Sequence, residues 1–458
     1  MKKKLWRIAG GILGALIITG ALSLYFVWQN QLGKAPDLDP ANRELWKSQA
    51  YHYILETDYQ HVTLYNYTAS SVLPFAYGHM EQDGTVWIDK LHGNALLNLF
   101  MWSPMPIGRF QNGELIDDIG YTKHFERIDD MPEAGINRFS KDPVQSFETF
   151  WRIFDENYAL FEIHPADWKK LYEEYRTQVT SDTSDKELKR IFKEMLQQLN
   201  DGHTQVIVGM KGISSKAEED PRTMFYRNHS KEIKEIIRKT YFPEGLNRQL
   251  GGDIRYGLTE QGIGYVAVDS LDHFDMKEVN PALDQVVQHV SGADRIIVDL
   301  RLNGGGSDAF GLALASRFAS GETLAYTKTA RHDAEYASFL PPTPIYIEPS
   351  EQRFTASKVI VLTSRLSASA AETTRMAFGE LDNVTVIGET TYGIFSDMMF
   401  GILPNQWFVT LSGEKYTDAS GTSYEGAGIP PDAEVIYTEV DLDAGRDPVM
   451  AKAIELAE

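Results

Sequence analysis

Arg295-Ile296-Ile297-Val298-Asp299-Leu300-Arg301-Leu302-Asn303-Gly304-Gly305-Gly306, residues 295–306, reads as a short apolar strand running into three glycines. Continuous Val/Ile runs of this length belong to strands buried on both faces. Three further runs of the same kind flank it: Gly264–Val268, Lys358–Thr363 and Val384–Ile387. Helical patterns lie between them, notably Phe310–Phe318 and Ala370–Leu381. Buried strands alternating with helices predict a layered α/β domain over 256–458. Side-chain-free backbone after the strand can approach a ligand and aim N–H groups at it. A plain tight turn is the competing reading. A phosphate loop would need Gly-Lys-Ser/Thr to follow, and none does.

Upstream, the period changes. Phe147, Phe150, Trp151, Phe154 and Tyr158 recur at three- and four-residue steps, predicting a helix with one apolar face. Tyr158 and Trp168 are read as core rather than as a ligand-stacking pair. A second helix should open at the capping pattern Ser184-x-x-Glu187 and bury Leu188, Phe192, Met195, Leu196 and Leu199. It should stop near Asp201-Gly202, with the glycine left-handed. A strand over Thr204–Val208 follows, so His203 falls at a helix-to-strand junction. Residues 212–255 are polar, with a short helix expected at Ile233–Ile237. The whole of 141–255 is expected as a helical subdomain. Residues 31–140 are expected to form a small β-rich domain, with a hairpin turn at Asp83-Gly84.

The first thirty residues differ. Lys2, Lys3, Lys4 and Arg7 precede an uncharged apolar run from Ile8 to about Trp28, roughly 21 residues and long enough to cross a bilayer. Charge on the N-terminal side predicts one transmembrane signal anchor, with its tip cytoplasmic and the remainder translocated to the cell surface or periplasm. Cleavage after the Gly20–Ser23 stretch is the alternative. The formal net charge of -21 argues against nucleic acid as partner. No cysteine is present, which removes disulfides, thiolate metal sites and cysteine nucleophiles. No cofactor and no metal are expected, because His203 has no second ligand at a metal-binding spacing. Oligomeric state is not legible.

The third segment that stands out is Ser367-Ala368-Ser369-Ala370-Ala371-Glu372. A strand, a small-residue turn and a helix place Ser369 at a helix N-terminus, where unpaired N–H groups and the macrodipole favour negative charge. Ser is also a common helix cap, so the run alone decides nothing.

Taken in order, Phe154-Asp-Glu-Asn-Tyr-Ala159, Asp167-Trp168, Asp201-Gly-His-Thr204, the Asp299–Gly306 run, Ser367–Glu372, Gly388–Gly393 and Glu425–Asp432 resemble the C-terminal-processing and tricorn-type serine peptidases. The resemblance spans about 145–440, excluding much of 212–255. It implies a crotonase- or ClpP-like core of β-β-α units acting on peptides or unfolded protein segments. It implies Ser369 as nucleophile, with Ala370 and either Gly305 or Gly306 giving the oxyanion N–H groups. One branch pairs Ser with a Lys just after the Thr-x-Gly turn, but that position here is Ile394. The tricorn-like branch uses a His base backed by a Glu, and His203 and Glu425 match. That branch carries Ser before its His, where this chain has Gly202. Glu372 is read as a first-turn helix residue. A catalytically inactive ligand- or peptide-binding protein on the same scaffold is the alternative, and a membrane-tethered scaffold acting through the β-rich region is a third reading.

Overall fold

The computed structural model describes residues 37–93, 98, 104–216, 220–333 and 335–458. The apolar run at 8–28, expected as a membrane anchor, lies outside the described residues. Among those described, no helix is long and apolar enough to cross a membrane.

The N-terminal strands are β1 (Glu44–Ser48), β2 (Tyr53–Thr57), β3 (His61–Thr68), β4 (Ser71–Met80), β5 (Thr85–Leu91), β6 (Met105–Gln111), β7 (Glu114–Ile116) and β8 (Thr122–Ile128). They pair antiparallel in chain order, and β8 returns to β1, so the sheet closes into a barrel without free edges. The expected hairpin at Asp83-Gly84 joins β4 to β5, with Gly84 at φ 88°. Leu55, Leu64, Phe75, Val86, Ile88 and Phe110 fill the interior, and Ile402 and Phe408 from the main body close one side.

Three helices follow: α1 (Pro143–Asn157), α2 (Trp168–Arg176) and α3 (Asp185–Gln197). The expected stripe of α1 is core, with Phe147, Phe150, Phe154 and Tyr158 fully buried. Trp151 and Trp168 exchange indole N–H bonds with each other's carbonyls at 3.0 Å, tying α2 to α1. Ser184 caps α3 through the Glu187 N–H as its sequence predicts. The end of α3 differs from expectation. The left-handed residue is Asn200, at φ 50°, and not Gly202. Asn tolerates that region through its short polar side chain. Gly202 answers a different constraint, described below.

The hairpin β9 (Gln205–Val208) and β10 (Lys211–Ser214) precedes α4 (Pro221–Tyr241), far longer than the short helix expected there. The remaining elements are β11 (Asn247–Gln249), β12 (Ile254–Leu258), β13 (Gly264–Val268), α5 (Met276–Val290), β14 (Arg295–Asp299), α6 (Asp308–Ser316), β15 (Thr323–Ala330), β16 (Thr343–Ile347), β17 (Lys358–Thr363), α7 (Ala370–Gly379), β18 (Val384–Gly388), β19 (Met398–Ile402), β20 (Phe408–Ser412), β21 (Glu414–Thr417), β22 (Ala433–Glu434), α8 (Glu439–Asp443) and α9 (Pro448–Ala457). The main sheet runs β11-β12-β13-β14-β17-β18-β22 and is parallel from β13 onward. Its apolar runs are the ones the sequence singles out. Smaller sheets, β10-β9-β20-β19 and β16-β15-β21, flank it.

Candidate active site

The site is assembled where β14 and β17 end side by side. Ser367 Oγ donates to the Leu300 carbonyl at 2.8 Å, and Ser364 Oγ donates to the Arg301 carbonyl at 2.6 Å. These bonds clamp the turn before α7 to the start of the glycine loop. The Ala368 N–H reaches the Asn303 carbonyl at 3.2 Å.

Ser369 then takes φ 56° and ψ -125°, a conformation L-residues avoid, at the N-terminus of α7. Ser369 is half-buried there, and its side chain forms a capping box with Glu372. Gly305 packs against Ser369. A Cβ on Gly305 would sit 2.7 Å from Ser369 Cβ and 2.8 Å from the Ala368 carbonyl oxygen, so only glycine fits. The structure therefore brings Ser369, Ala370 and the glycine loop together.

The two glycines differ as donors. The Gly305 N–H is taken by Asn303 Oδ1 at 2.8 Å. The Gly305 carbonyl accepts from the Leu271 N–H at 2.9 Å, and the connecting peptide is trans. The Gly306 N–H therefore points away from Leu271. It has no partner among the described residues, and Gly306 is exposed. The Ala370 N–H is likewise unpartnered.

Glu372, read from sequence as an ordinary first-turn residue, is fully buried and holds the site together. Its Oε2 accepts from the Ser369 N–H at 3.1 Å and the Ile394 N–H at 2.8 Å. Its Oε1 accepts from the Gly393 N–H at 2.7 Å and Thr391 Oγ1 at 2.5 Å. Burial pushes its carboxyl up to about 7 against the pull of those four donors. Three of the four donors lie about twenty residues downstream, and only the Ser369 bond is local.

His203 sits in a turn fixed by Asp201. Asp201 Oδ1 accepts the His203 N–H at 2.9 Å, and Oδ2 accepts Thr204 Oγ1 at 3.0 Å. The ring is 7% exposed, and burial lowers its pKa below the usual imidazole value despite the Asp201 and Asp397 carboxylates. It lies beside the Ser396 carbonyl, and its Nδ1 is buried without a partner among the described residues. A Cβ on Gly202 would meet Ile394 Cγ2 at 3.1 Å and Tyr392 Cε1 at 3.3 Å. Gly202 and Ile394 thus fill one space jointly.

Glu425 is brought to the same loop. Its Oε2 accepts from the Phe395 N–H at 3.0 Å and the Ser396 N–H at 3.3 Å, while Oε1 is buried without a partner among the described residues. Burial, reinforced by the Asp201 carboxylate, holds it well above the usual carboxylate range. Among the described residues, neither Glu425 nor Ser369 makes a hydrogen bond to the His203 ring. The two halves of the site meet instead through residues 392–396, which touch Glu372 and Ser367 on one side and Gly202, His203 and Glu425 on the other.

The Asp299 and Arg301 of the glycine-loop run are structural. Arg301, fully buried, pairs with Asp299 at 2.7 Å and with Asp447, the cap of α9, at 2.9 Å. Glu389 accepts from Arg222 Nε at 2.9 Å and from Tyr226 at 2.6 Å, docking α4 on the sheet.

Residues 262–435 match the family described as peptidase family S41, and residues 139–197 match the tricorn protease C1 domain. Carboxyl-terminal-processing proteases of Picosynechococcus sp. and Synechocystis sp. are 28% and 30% identical to it over 131 and 133 residues. Each match covers 29% of this chain, and 29% and 28% of the respective relative. A solved protein of Parabacteroides merdae ATCC 43184, assigned as a peptidase, is 30% identical with a TM-score of 0.61. That match covers 69% of this chain and 97% of the other. The S41 match contains both the glycine loop and the Ser369 turn, and the chain belongs to peptidase family S41.

Proposed function

We propose that this protein is a serine peptidase that cleaves peptides or unfolded segments on a crotonase- or ClpP-like core. Ser369 is the nucleophile, His203 the general base and Glu425 its support. The apolar run at 8–28 would hold the enzyme to a membrane, with the catalytic part outside the cytoplasm. The observation that carries the reading is the backbone of Ser369: a serine at φ 56°, pressed on Gly305, with the Ala370 and Gly306 N–H groups unpartnered among the described residues.

A serine hydroxyl is a weak nucleophile until a base takes its proton. His203, kept neutral by burial, is suited to do so. Ser369 Oγ attacks the peptide carbonyl carbon as His203 accepts the proton. The N–H groups of Ala370 and Gly306 stabilise the oxyanion, because Gly305 is already engaged. His203 then protonates the leaving amine as the tetrahedral species collapses to the acyl-enzyme. Water attacks the ester with His203 again as base, and Ser369 is released. Glu425 acts through the 395–396 amides rather than directly on the ring.

Peptide hydrolysis by the purified protein tests this. Ser369→Ala and His203→Ala should each reduce turnover by at least about 10³-fold. A folded wild-type protein inert over a broad peptide library contradicts it. One observation favours the second reading, a binding protein on the same scaffold: His203 Nδ1 and Glu425 Oε1 are both buried without a partner among the described residues. Saturable peptide binding without turnover, unchanged in Ser369→Ala, would support that reading.

A further inference from the structure

Lys328 on β15 is a fully buried cation. Its ammonium lies 2.7 Å from Asp397 Oδ2 and 3.0 Å from Glu414 Oε2. The ring of Tyr121, from the barrel, covers it at 4.3 Å, and Tyr416 flanks it at 5.2 Å. Ion pairs buried to this depth add little net stability, since desolvation offsets the attraction, and an apolar residue would often serve the fold as well. Its contacts point to geometry instead.

From Lys328 one arm reaches the histidine side of the site. Asp397 follows Ser396, whose Oγ donates to the Asp397 carbonyl at 3.0 Å and accepts the Glu414 N–H at 3.1 Å. The Ser396 N–H is held by Glu425, and its carbonyl lies beside the His203 ring. The other arm reaches the serine side. Tyr416 Oη is 3.3 Å from both Glu414 Oε2 and Asp308 Oδ2. Asp308 Oδ1 accepts Thr373 Oγ1 at 2.7 Å. Asp308 opens α6 two residues after Gly306, and Thr373 lies one turn beyond Ser369. The barrel is the third attachment: Tyr51 bonds Glu414 and meets Tyr121 Oη at 2.7 Å.

We propose that Lys328, with Asp397, is a positioning residue for peptide hydrolysis, clamping residues 395–397 between the barrel and the body so that His203 faces Ser369. The proposal rests on the serine-peptidase reading. The groups facing His203 are Asp201 on its own turn, Asp397 and the Ser396 carbonyl on the clamped loop, and Lys216 after β10. Lys328 offsets Asp397. Removing Asp397 should therefore make the imidazole less basic, and removing Lys328 should make it more basic.

The test uses the full chain and two readouts: kcat and KM across pH, and the rate at which a fluorophosphonate labels Ser369. Asp397→Asn, at a side chain half exposed to solvent, leaves the Lys328–Glu414 pair in place and keeps the fold. It should lower kcat at least tenfold with KM within twofold, slow labelling in parallel, and move the acid limb of kcat/KM to lower pH. Lys328→Met should also lower kcat but move the acid limb to higher pH, and Lys328→Arg should recover part of the rate. If Lys328→Met does not fold, Asp397→Asn decides alone. Wild-type labelling and kcat in Asp397→Asn overturn the clamp while leaving the peptidase reading intact. Absence of Ser369 labelling in the wild type overturns both.

Discussion

At the scale of single residues, the account turns on Ser369. Its φ of 56° and ψ of -125° cost of order 1 kcal/mol for any residue with a Cβ, and glycine avoids that cost. Ser369→Gly should therefore be about 1 kcal/mol more stable than Ser369→Ala in denaturant melts, since both lose the capping hydroxyl and only the alanine keeps the strain. Both should be inactive. Equal stability of the two variants would mean that the turn is not strained. His203 gives a second expectation. Its folded pKa is depressed by burial, so under the proposed mechanism the acid limb of kcat/KM should lie below pH 6.5. By linkage, a depressed imidazole contributes stability that is present above pH 6.5 and lost as pH falls through the folded value. His203→Gln should flatten that part of the stability profile.

Among the elements, buried charge decides which loops meet. Arg301 holds β14 to α9 through two buried carboxylates, and its removal strands both. Arg301→Met should cost about 3–5 kcal/mol, read as a lowered denaturation midpoint. Glu372 carries a sharper expectation, because every one of its four partners is a donor. Glu372→Gln turns an amide NH₂ toward N–H groups, and should cost about 1–3 kcal/mol while loosening Ser369 from residues 391–394. The strands of the main sheet are legible because both faces are buried, which leaves uninterrupted Val/Ile runs. The cap of α3 is legible because Ser184 and Glu187 interact locally. The bracing of residues 391–394 by Glu372 and the clamp at Lys328 are not legible, because those partners are distant in the chain. Gly202 was expected to end a helix. Its lack of a side chain is instead set by Ile394, nearly two hundred residues away.

The whole molecule joins the barrel to the peptidase body through polar bonds as well as apolar packing. Tyr51 and His52 both take left-handed backbones at the β1–β2 turn. Tyr53 Oη bonds the carbonyl and N–H of Phe400 at 3.0 and 2.9 Å. Ile402 and Phe408 lie in the barrel's own core. The two parts should accordingly unfold in a single calorimetric transition, and Tyr51→Phe, which leaves Glu414 short of a donor, should lower stability by about 1–3 kcal/mol. Strands were foreseen between 46 and 140. Closure was not, because the β8–β1 pairing joins residues some eighty apart and leaves no local mark.

The central claim is that the Ser369 hydroxyl is a nucleophile activated by His203. The most direct measurement is mass spectrometry of the intact protein and its peptides after treatment with a serine-directed phosphonate. The account predicts one adduct, located on Ser369, that forms at least a hundredfold more slowly in His203→Ala. An unmodified Ser369 in folded protein, or an adduct that forms equally fast without His203, would contradict it.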